Sequence, residues 1–384
     1  MKKPKKYGFR RLMNDLHLWL GVASALVLFV VCLSGTIYTF RTEIEQWLEP
    51  QKYTITQTKE SKFDVDELIN TVALEVKGKV TRVTTEDDPT KPYVFTVSTK
   101  GDKRGENYYV NPYTKEIMGS GKGPASSFFS TVMKLHRWLL FDSEIGRPIV
   151  GIATLIFVVL CFTGMFLWFP KKIKGWKSFK PGFKIKFKSN WKRINNDLHN
   201  TLGFYTMLVV LIMAVTGLCW SFEWYRAGLS EILGVKVFGG RDEVKPESGA
   251  SADAPALSYA DAVALANAHF PYQGKTIVSI PKDDKGAFEI QKNDAKRWNQ
   301  TAFDRIFIDQ FSGDIIKTEV FSQKKIGDKI ASQIKAIHLG EIYGIYSKVL
   351  YLIVCLIATS LPITGIFIWL NKMKKKPKTK RIEV

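Results

Sequence analysis

Residues 14–40 open with Asn14-Asp15-Leu16-His17-Leu18-Trp19-Leu20-Gly21 and then run almost without polarity through Ser34-Gly35 to Phe40. The stretch Leu18–Phe40 has about the length that crosses a hydrocarbon layer of roughly 30 Å at 1.5 Å per helical residue. Three more such stretches lie further along: Pro148–Phe169, Leu202–Phe222 and Ile345–Leu370. The mean hydropathy of −0.06 is thus an average over apolar spans and polar domains. Four spans predict an integral membrane α-helical protein. The first should remain as a signal anchor: its apolar run exceeds that of a signal peptide. Charged Arg41-Thr42-Glu43-Ile44-Glu45 follows it where a small-residue cleavage site would stand.

The opening stretch recurs. Asn196-Asp197-Leu198-His199 repeats Asn14-Asp15-Leu16-His17, Leu202-Gly203 repeats Leu20-Gly21, and Thr216-Gly217 repeats Ser34-Gly35, all at one offset. The second span repeats as well, with Thr163-Gly164-Met165-Phe166-Leu167-Trp168 answered by Thr364-Gly365-Ile366-Phe367-Ile368-Trp369. Each half therefore reads span, exported domain, span, and the four transmembrane helices fall into two tandem repeats.

Charge orients the chain. Segments 1–16, 171–197 and 371–384 carry 6, 10 and 7 Lys and Arg against three acids, which accounts for the whole net charge of +20. The long segments between spans are close to neutral. By the positive-inside rule the short basic segments stay in the cytoplasm of a bacterial inner membrane and the long ones are exported. The expected layout is a cytoplasmic N-terminus (1–16), spans at 17–40 and 148–169, a basic loop (170–198), spans at 199–222 and 345–370, and a basic tail (371–384). Both termini are then cytoplasmic, and segments 41–147 and 223–344 are two periplasmic domains. A pI of 9.6 can signal nucleic acid, but basic residues beside spans set topology and meet anionic lipids, so no nucleic-acid partner is expected. Cys32, Cys161, Cys219 and Cys355 all lie inside spans, which leaves the exported domains without a disulfide framework.

The exported segments read as α+β. In the first, Val65–Val76 has helical spacing, and Val80–Thr84, Tyr93–Ser98 and Tyr108–Val110 are strand-like before the Asn111-Pro112 turn. In the second, Tyr259–His269 is a helix after the cap Ser258, followed by strands Thr276–Ile280, Ala287–Gln291 and Arg305–Asp309 and the Ser312-Gly313 turn. Arg241–Pro255 reads as a linker. Neither segment carries a nucleophile elbow, a phosphate loop or an H-E-x-x-H helix.

Of five histidines, four sit at span edges. His17 and His199 begin the first span of each half, on the cytoplasmic side, and His136 and His338 precede the second spans, on the exported side. One interfacial histidine is ordinarily an amphipathic headgroup residue; four in duplicated positions point to function. Zinc or copper asks for more ligands, and no carboxylate or thiol stands at ligand spacing. A b-type haem needs only two axial ligands, so two histidines per face predict two haem b, one at each face. Gly35 and Gly217 lie 18 residues after His17 and His199, about 27 Å along a helix, at the level of His136 and His338. Gly164 and Gly365 fall at the level of His17 and His199. Either these glycines let a flat macrocycle approach the backbone, or they are small residues of ordinary helix packing.

These residues resemble a known family. Leu16-His17-Leu18-Trp19-Leu20-Gly21, Ser34-Gly35, and Phe40-Arg41-Thr42-Glu43-Ile44-Glu45-Gln46-Trp47-Leu48-Glu49-Pro50 look like the opening signature of PepSY-associated transmembrane proteins. Leu135-His136-Arg137-Trp138-Leu139 and the closing Thr-Gly-x-Phe-x-Trp motifs resemble it too. The exported domains are similar to PepSY modules, with Tyr109-Val110-Asn111-Pro112-Tyr113-Thr114 and Ile308-Asp309-Gln310-Phe311-Ser312-Gly313 in place of the module's closing strand and turn. The second half departs from the signature, with Asn200-Thr201 after His199 and no Arg-Trp after His338. The resemblance implies an iron-regulated inner-membrane protein related to two-haem ferric-siderophore reductases, with His17, His136, His199 and His338 as axial ligands. Electrons would enter from quinol or a cytoplasmic flavoprotein, since the chain has no flavin or nicotinamide fingerprint, and would leave to a ferric siderophore or other ferric chelate. The competing reading is a haem-free membrane anchor whose PepSY-like domains bind peptides or restrain a protease.

Overall fold

The computed structural model describes residues 7–56, 58–59, 61–239, 245–249 and 255–374. Four of its helices are long and apolar enough to cross a membrane: α1 (Phe9–Thr39), α6 (Ser143–Trp168), α7 (Trp191–Ser221) and α11 (Gly344–Met373). They form a multi-pass membrane bundle in which α1 packs along α6 and α11, and α7 packs along the same two. Helices α1 and α7 therefore stand diagonally across it.

Two helices run well past the apolar stretches expected from sequence. α1 begins at Phe9 and α7 at Trp191, so His17 and His199 lie about two turns inside their helices and do not begin them. Apolarity measures how much helix the lipid wants, whereas helical hydrogen bonding continues through the polar residues before it. Asn190 caps α7 by accepting from Arg193 N. Arg10 Nη2 fixes the start of α1 by donating to the carbonyls of Leu167 (2.7 Å) and Phe169 (2.8 Å), satisfying the orphan end of α6.

Helices α2 (Arg41–Leu48) and α3 (Pro50–Tyr53) lead from α1 to α4 (Val65–Val76), β1 (Lys79–Thr85), β2 (Tyr93–Thr99), β3 (Asp102–Val110) and β4 (Ile117–Ser120). Helix α5 (Pro124–Trp138) then precedes α6. After α7 the same kinds of element follow: α8 (Glu223–Leu233), α9 (Tyr259–His269), β5 (Thr276–Ser279), β6 (Phe288–Lys292), β7 (Asp304–Ile308), β8 (Ile315–Glu319) and α10 (Ile326–Leu339), before α11. α4 and α9 cover the expected helices residue for residue. Asp64 caps the first by accepting from Asp66 N, and Ser258 caps the second by accepting from Asp261 N.

Segments 41–147 and 223–344 were expected as separate domains, but their strands join one antiparallel sheet of order β4-β3-β2-β1-β5-β6-β7-β8. β1 and β5 pair across the middle, with Val83 opposite Val278. The core beneath is shared: Leu68 and Val72 of α4, Ala262 and Ala266 of α9, and Val83, Phe95, Val278, Ile290 and Ile306 of the strands form one buried cluster. Asp66 of α4 accepts from the backbone N–H groups of Tyr259 and Ala260, so one half caps a helix of the other. Each half alone would leave β1 or β5 as an open edge, and pairing the two removes that liability. The expected linker 241–255 lies outside the described residues at 241–244 and 250–254.

Candidate functional site

α5 and α10 each end in a left-handed turn that drops the chain into the next membrane helix. α10 ends at Gly340, φ 70°, while α5 ends at Leu139 and Leu140, φ 54° and 64°, a backbone conformation that costs non-glycine residues about 1 kcal/mol or more. Gly146, early in α6, stands so close to Trp138 that an added Cβ would lie 2.0 Å from its carbonyl oxygen. These contacts seat α5 and α6 against each other. His136 and His338, near the ends of α5 and α10, are thereby delivered to the sheet end of the bundle on helices separate from the spans.

The four span-edge histidines form two pairs. His17 and His199 reach toward each other from the diagonal helices α1 and α7, ring centroids 6.2 Å apart and planes at 86°. His136 and His338 pair at 6.3 Å with planes at 57°. His269, the fifth, packs on Phe270 at the end of α9 and joins neither pair.

Each ring is held through Nδ1. His136 Nδ1 lies 2.9 Å from the Val31 carbonyl oxygen and His338 Nδ1 lies 2.9 Å from that of Met213. A carbonyl only accepts, so both Nδ1 atoms carry the proton. His17 Nδ1 lies 2.9 Å from Thr163 Oγ1, and His199 Nδ1 lies 2.9 Å from Thr364 Oγ1. The Thr163 hydroxyl donates to the Val159 carbonyl at 2.8 Å, and Thr364 donates to those of Leu361 (3.0 Å) and Ser360 (3.1 Å). With their single protons so committed, these oxygens accept from the imidazoles. All four histidines thus take the tautomer whose Nε2 keeps a free lone pair, the form that binds metal.

The glycines face these rings. A Cβ on Gly164 would lie 3.0 Å from His17 Cε1, on Gly217 3.0 Å from His338 Cε1, on Gly35 3.1 Å from His136 Cε1, and on Gly365 3.4 Å from His199 Cε1. The close approach each one permits is to an imidazole edge. The residue before each glycine was missed as a site residue in the sequence reading. Thr163 and Thr364 hold His17 and His199, while Ser34 Oγ stands 3.4 Å from His136 Nδ1 and Thr216 Oγ1 stands 3.2 Å from His338 Nδ1. The signal was present: all four glycines follow a hydroxyl residue, so one hydroxyl–glycine step anchors a ring and makes room for it.

Around His17 and His199 lies a cavity of about 1380 Å³, its open mouth included, with walls such as Phe157, Leu160, Met207 and Val210. Among the described residues no group of three or more His, Cys, Asp or Glu converges as for a bare metal ion, so each pair offers two nitrogen donors. Trp369 Nε1, one turn beyond Gly365, and Asn195 Oδ1 are buried without a partner, as are Trp138 Nε1 and Arg147 Nε on the sheet side. Buried polar atoms left unpaired by the protein are rare in folded chains. Phe141, Trp224 and Tyr343 are exposed.

The family model described as the PepSY-associated TM region matches residues 15–372, from just before His17 to the end of the last membrane helix. No curated protein matches the chain.

Proposed function

The chain belongs to the family of the PepSY-associated TM region, and on that premise we propose that it is an inner-membrane dihaem b oxidoreductase that carries electrons from cytoplasm to periplasm. One observation carries the reading: both histidine pairs stand at 6.2–6.3 Å between ring centroids, with every Nδ1 occupied. Two imidazoles bound through Nε2 on opposite sides of one metal, at about 2.0–2.1 Å each and with the centroid about 1.1 Å behind the nitrogen, stand about 6.3 Å apart. In this reading His17 and His199 hold one haem and His136 and His338 the other. A bound b haem supplies one-electron exchange between ferric and ferrous iron.

The chain's own residues do the rest. Val31 and Met213 carbonyls and the Thr163 and Thr364 hydroxyls keep the ligands' Nδ1 protonated, which raises the basicity of Nε2. The apolar walls of the cavity exclude water and shield charge. The two halves act as tandem repeats, each giving one ligand to each site, and their paired PepSY-like sheet is a periplasmic platform above the outer pair. The acceptor proposed there is a ferric siderophore or other ferric chelate, and the donor is quinol or a cytoplasmic flavoprotein. Both termini are then cytoplasmic. Pyridine haemochrome analysis of the purified chain tests this: two non-covalent b haems per chain are expected, and none would sink the reading in favour of a haem-free binding protein.

A further inference from the structure

The cavity at His17 and His199 has a polar rim that axial ligation leaves unused. Asn14, Asn196, Asn200 and Lys372 line it, and among the described residues no Asp or Glu does. Asn196 and Asn200 are four apart on α7, hence on one face, flanking the position of His199. Lys372 stands exposed in the last turn of α11 and forms no ion pair with a described residue. Nearby Asp15 attracts Lys372 at longer range but spends its hydrogen bonds elsewhere, accepting from Tyr7 at 2.7 Å and from Asn14 at 3.1 Å, with Arg11 at 3.9 Å. The rim is thus an ammonium and amide N–H groups around an apolar slot, with Asp15 acting on Lys372 from outside the lining.

We infer that Lys372, with Asn196 and Asn200, binds the carboxylate edge of the macrocycle seated between His17 and His199. This rests on the haem reading. A flat cofactor with one apolar and one doubly acidic edge cannot bury its carboxylates among Phe157, Leu160 and Val210 without a large desolvation cost. The rim lets them meet a cation and remain near water. The acidic edge then faces the basic end of the bundle.

The test is uptake by the full-length haem-depleted chain, carrying His338→Ala so that only the first pair is intact, of iron protoporphyrin IX and of its dimethyl ester. Soret absorbance reads both titrations. Lys372→Met should weaken binding of the free acid by about three- to tenfold, less at high salt, because Lys372 is exposed and screened. Binding of the ester should be unchanged, and Lys372→Arg should restore the acid. Equal losses for acid and ester, or no loss for either, would overturn the inference and leave axial ligation standing. If the chain with Lys372 intact takes up neither porphyrin, the haem reading itself falls and this inference with it.

Discussion

The ring of His17 stands 6.2 Å, centroid to centroid, from that of His199, though the two belong to helices on opposite corners of the bundle. Neither residue can reach the other unless both halves of the chain fold and pack. A ligand shared by the pair should therefore be lost when either partner is removed. His17→Ala and His199→Ala should each lower the haemochrome value from two to one, and spectra should show that the same haem has gone. His136→Ala and His338→Ala should remove the other. A single variant that emptied both sites, or neither, would contradict the pairing.

Thr163 and Thr364 are predicted to tune the ligands. Replacing Thr163 by Val removes one of two acceptors at the buried His17 N–H and leaves the Leu160 carbonyl, which costs about 0.5–1.5 kcal/mol. Loss of such a partner typically weakens metal sites by about 10–100-fold. Haem retention at the first site should fall by about tenfold and the midpoint potential should rise, since a less basic imidazole favours ferrous iron. Thr154→Val is the control: this threonine donates to the Val150 carbonyl on the same helix and touches no histidine. Equal effects from both variants would reduce Thr163 to a packing role.

The glycines should rank by clearance. Alanine at Gly164 or Gly217 brings a methyl to 3.0 Å from an imidazole carbon, whereas at Gly365 the gap is 3.4 Å, ordinary contact. Overpacking of this kind costs about 1–3 kcal/mol. Gly164→Ala and Gly217→Ala should shift the spectrum or occupancy of their sites, and Gly365→Ala should not. The reverse order, read by Soret absorbance at matched expression, would refute the contact.

Direction of electron flow gives a separate expectation. Dithionite-reduced protein mixed anaerobically with a ferric siderophore should reoxidise while the chelate loses its ferric absorbance. His199→Ala should abolish quinol- or flavin-driven reduction yet leave the outer haem able to pass its electron. Haems that stay reduced against every ferric chelate tried would remove iron reduction as the activity.

The sheet should carry an acid-sensitive contact at its edge. In β8, burial pushes the Glu319 carboxyl up, but Lys317 (2.7 Å) and Lys324 (3.0 Å) outweigh it and hold the group at about 2. A depressed carboxyl stabilises the fold above its unfolded pKa of about 4.3 and loses that contribution as pH falls toward 2. Because Lys317 is partly exposed, the effect is about 1–2 kcal/mol. Glu319→Gln should lower urea stability by that amount at pH 7 and flatten its decline between about pH 4.5 and 2. An unchanged decline would exclude Glu319 as the sensor.

Much of the fold is legible in the amino-acid sequence. Val65–Val76 and Tyr259–His269 carry caps and helical spacing, and both form as read. The strands β4 and β8 escape detection because Ile117–Ser120 and Ile315–Glu319 are short, outer and poorly alternating, and edge strands bury little. The helix starts at Phe9 and Trp191 escape because hydropathy marks the lipid layer and not the end of hydrogen bonding.

Sequence alone determined that four stretches are long and apolar enough to cross a membrane, which segments are basic, and that four histidines and four glycines recur at matching levels. Those are local sums of apolarity, charge and helical rise, which need no partner. Only tertiary structure decided that His17 meets His199 across a diagonal, that Thr163, Thr364, Val31 and Met213 hold the rings, and that the segments after the first and third membrane helices share one sheet. Each of these depends on which distant surfaces pack together. A hydroxyl before a glycine reads the same whether it faces lipid or an imidazole 2.9 Å away, until the neighbouring helix is in place.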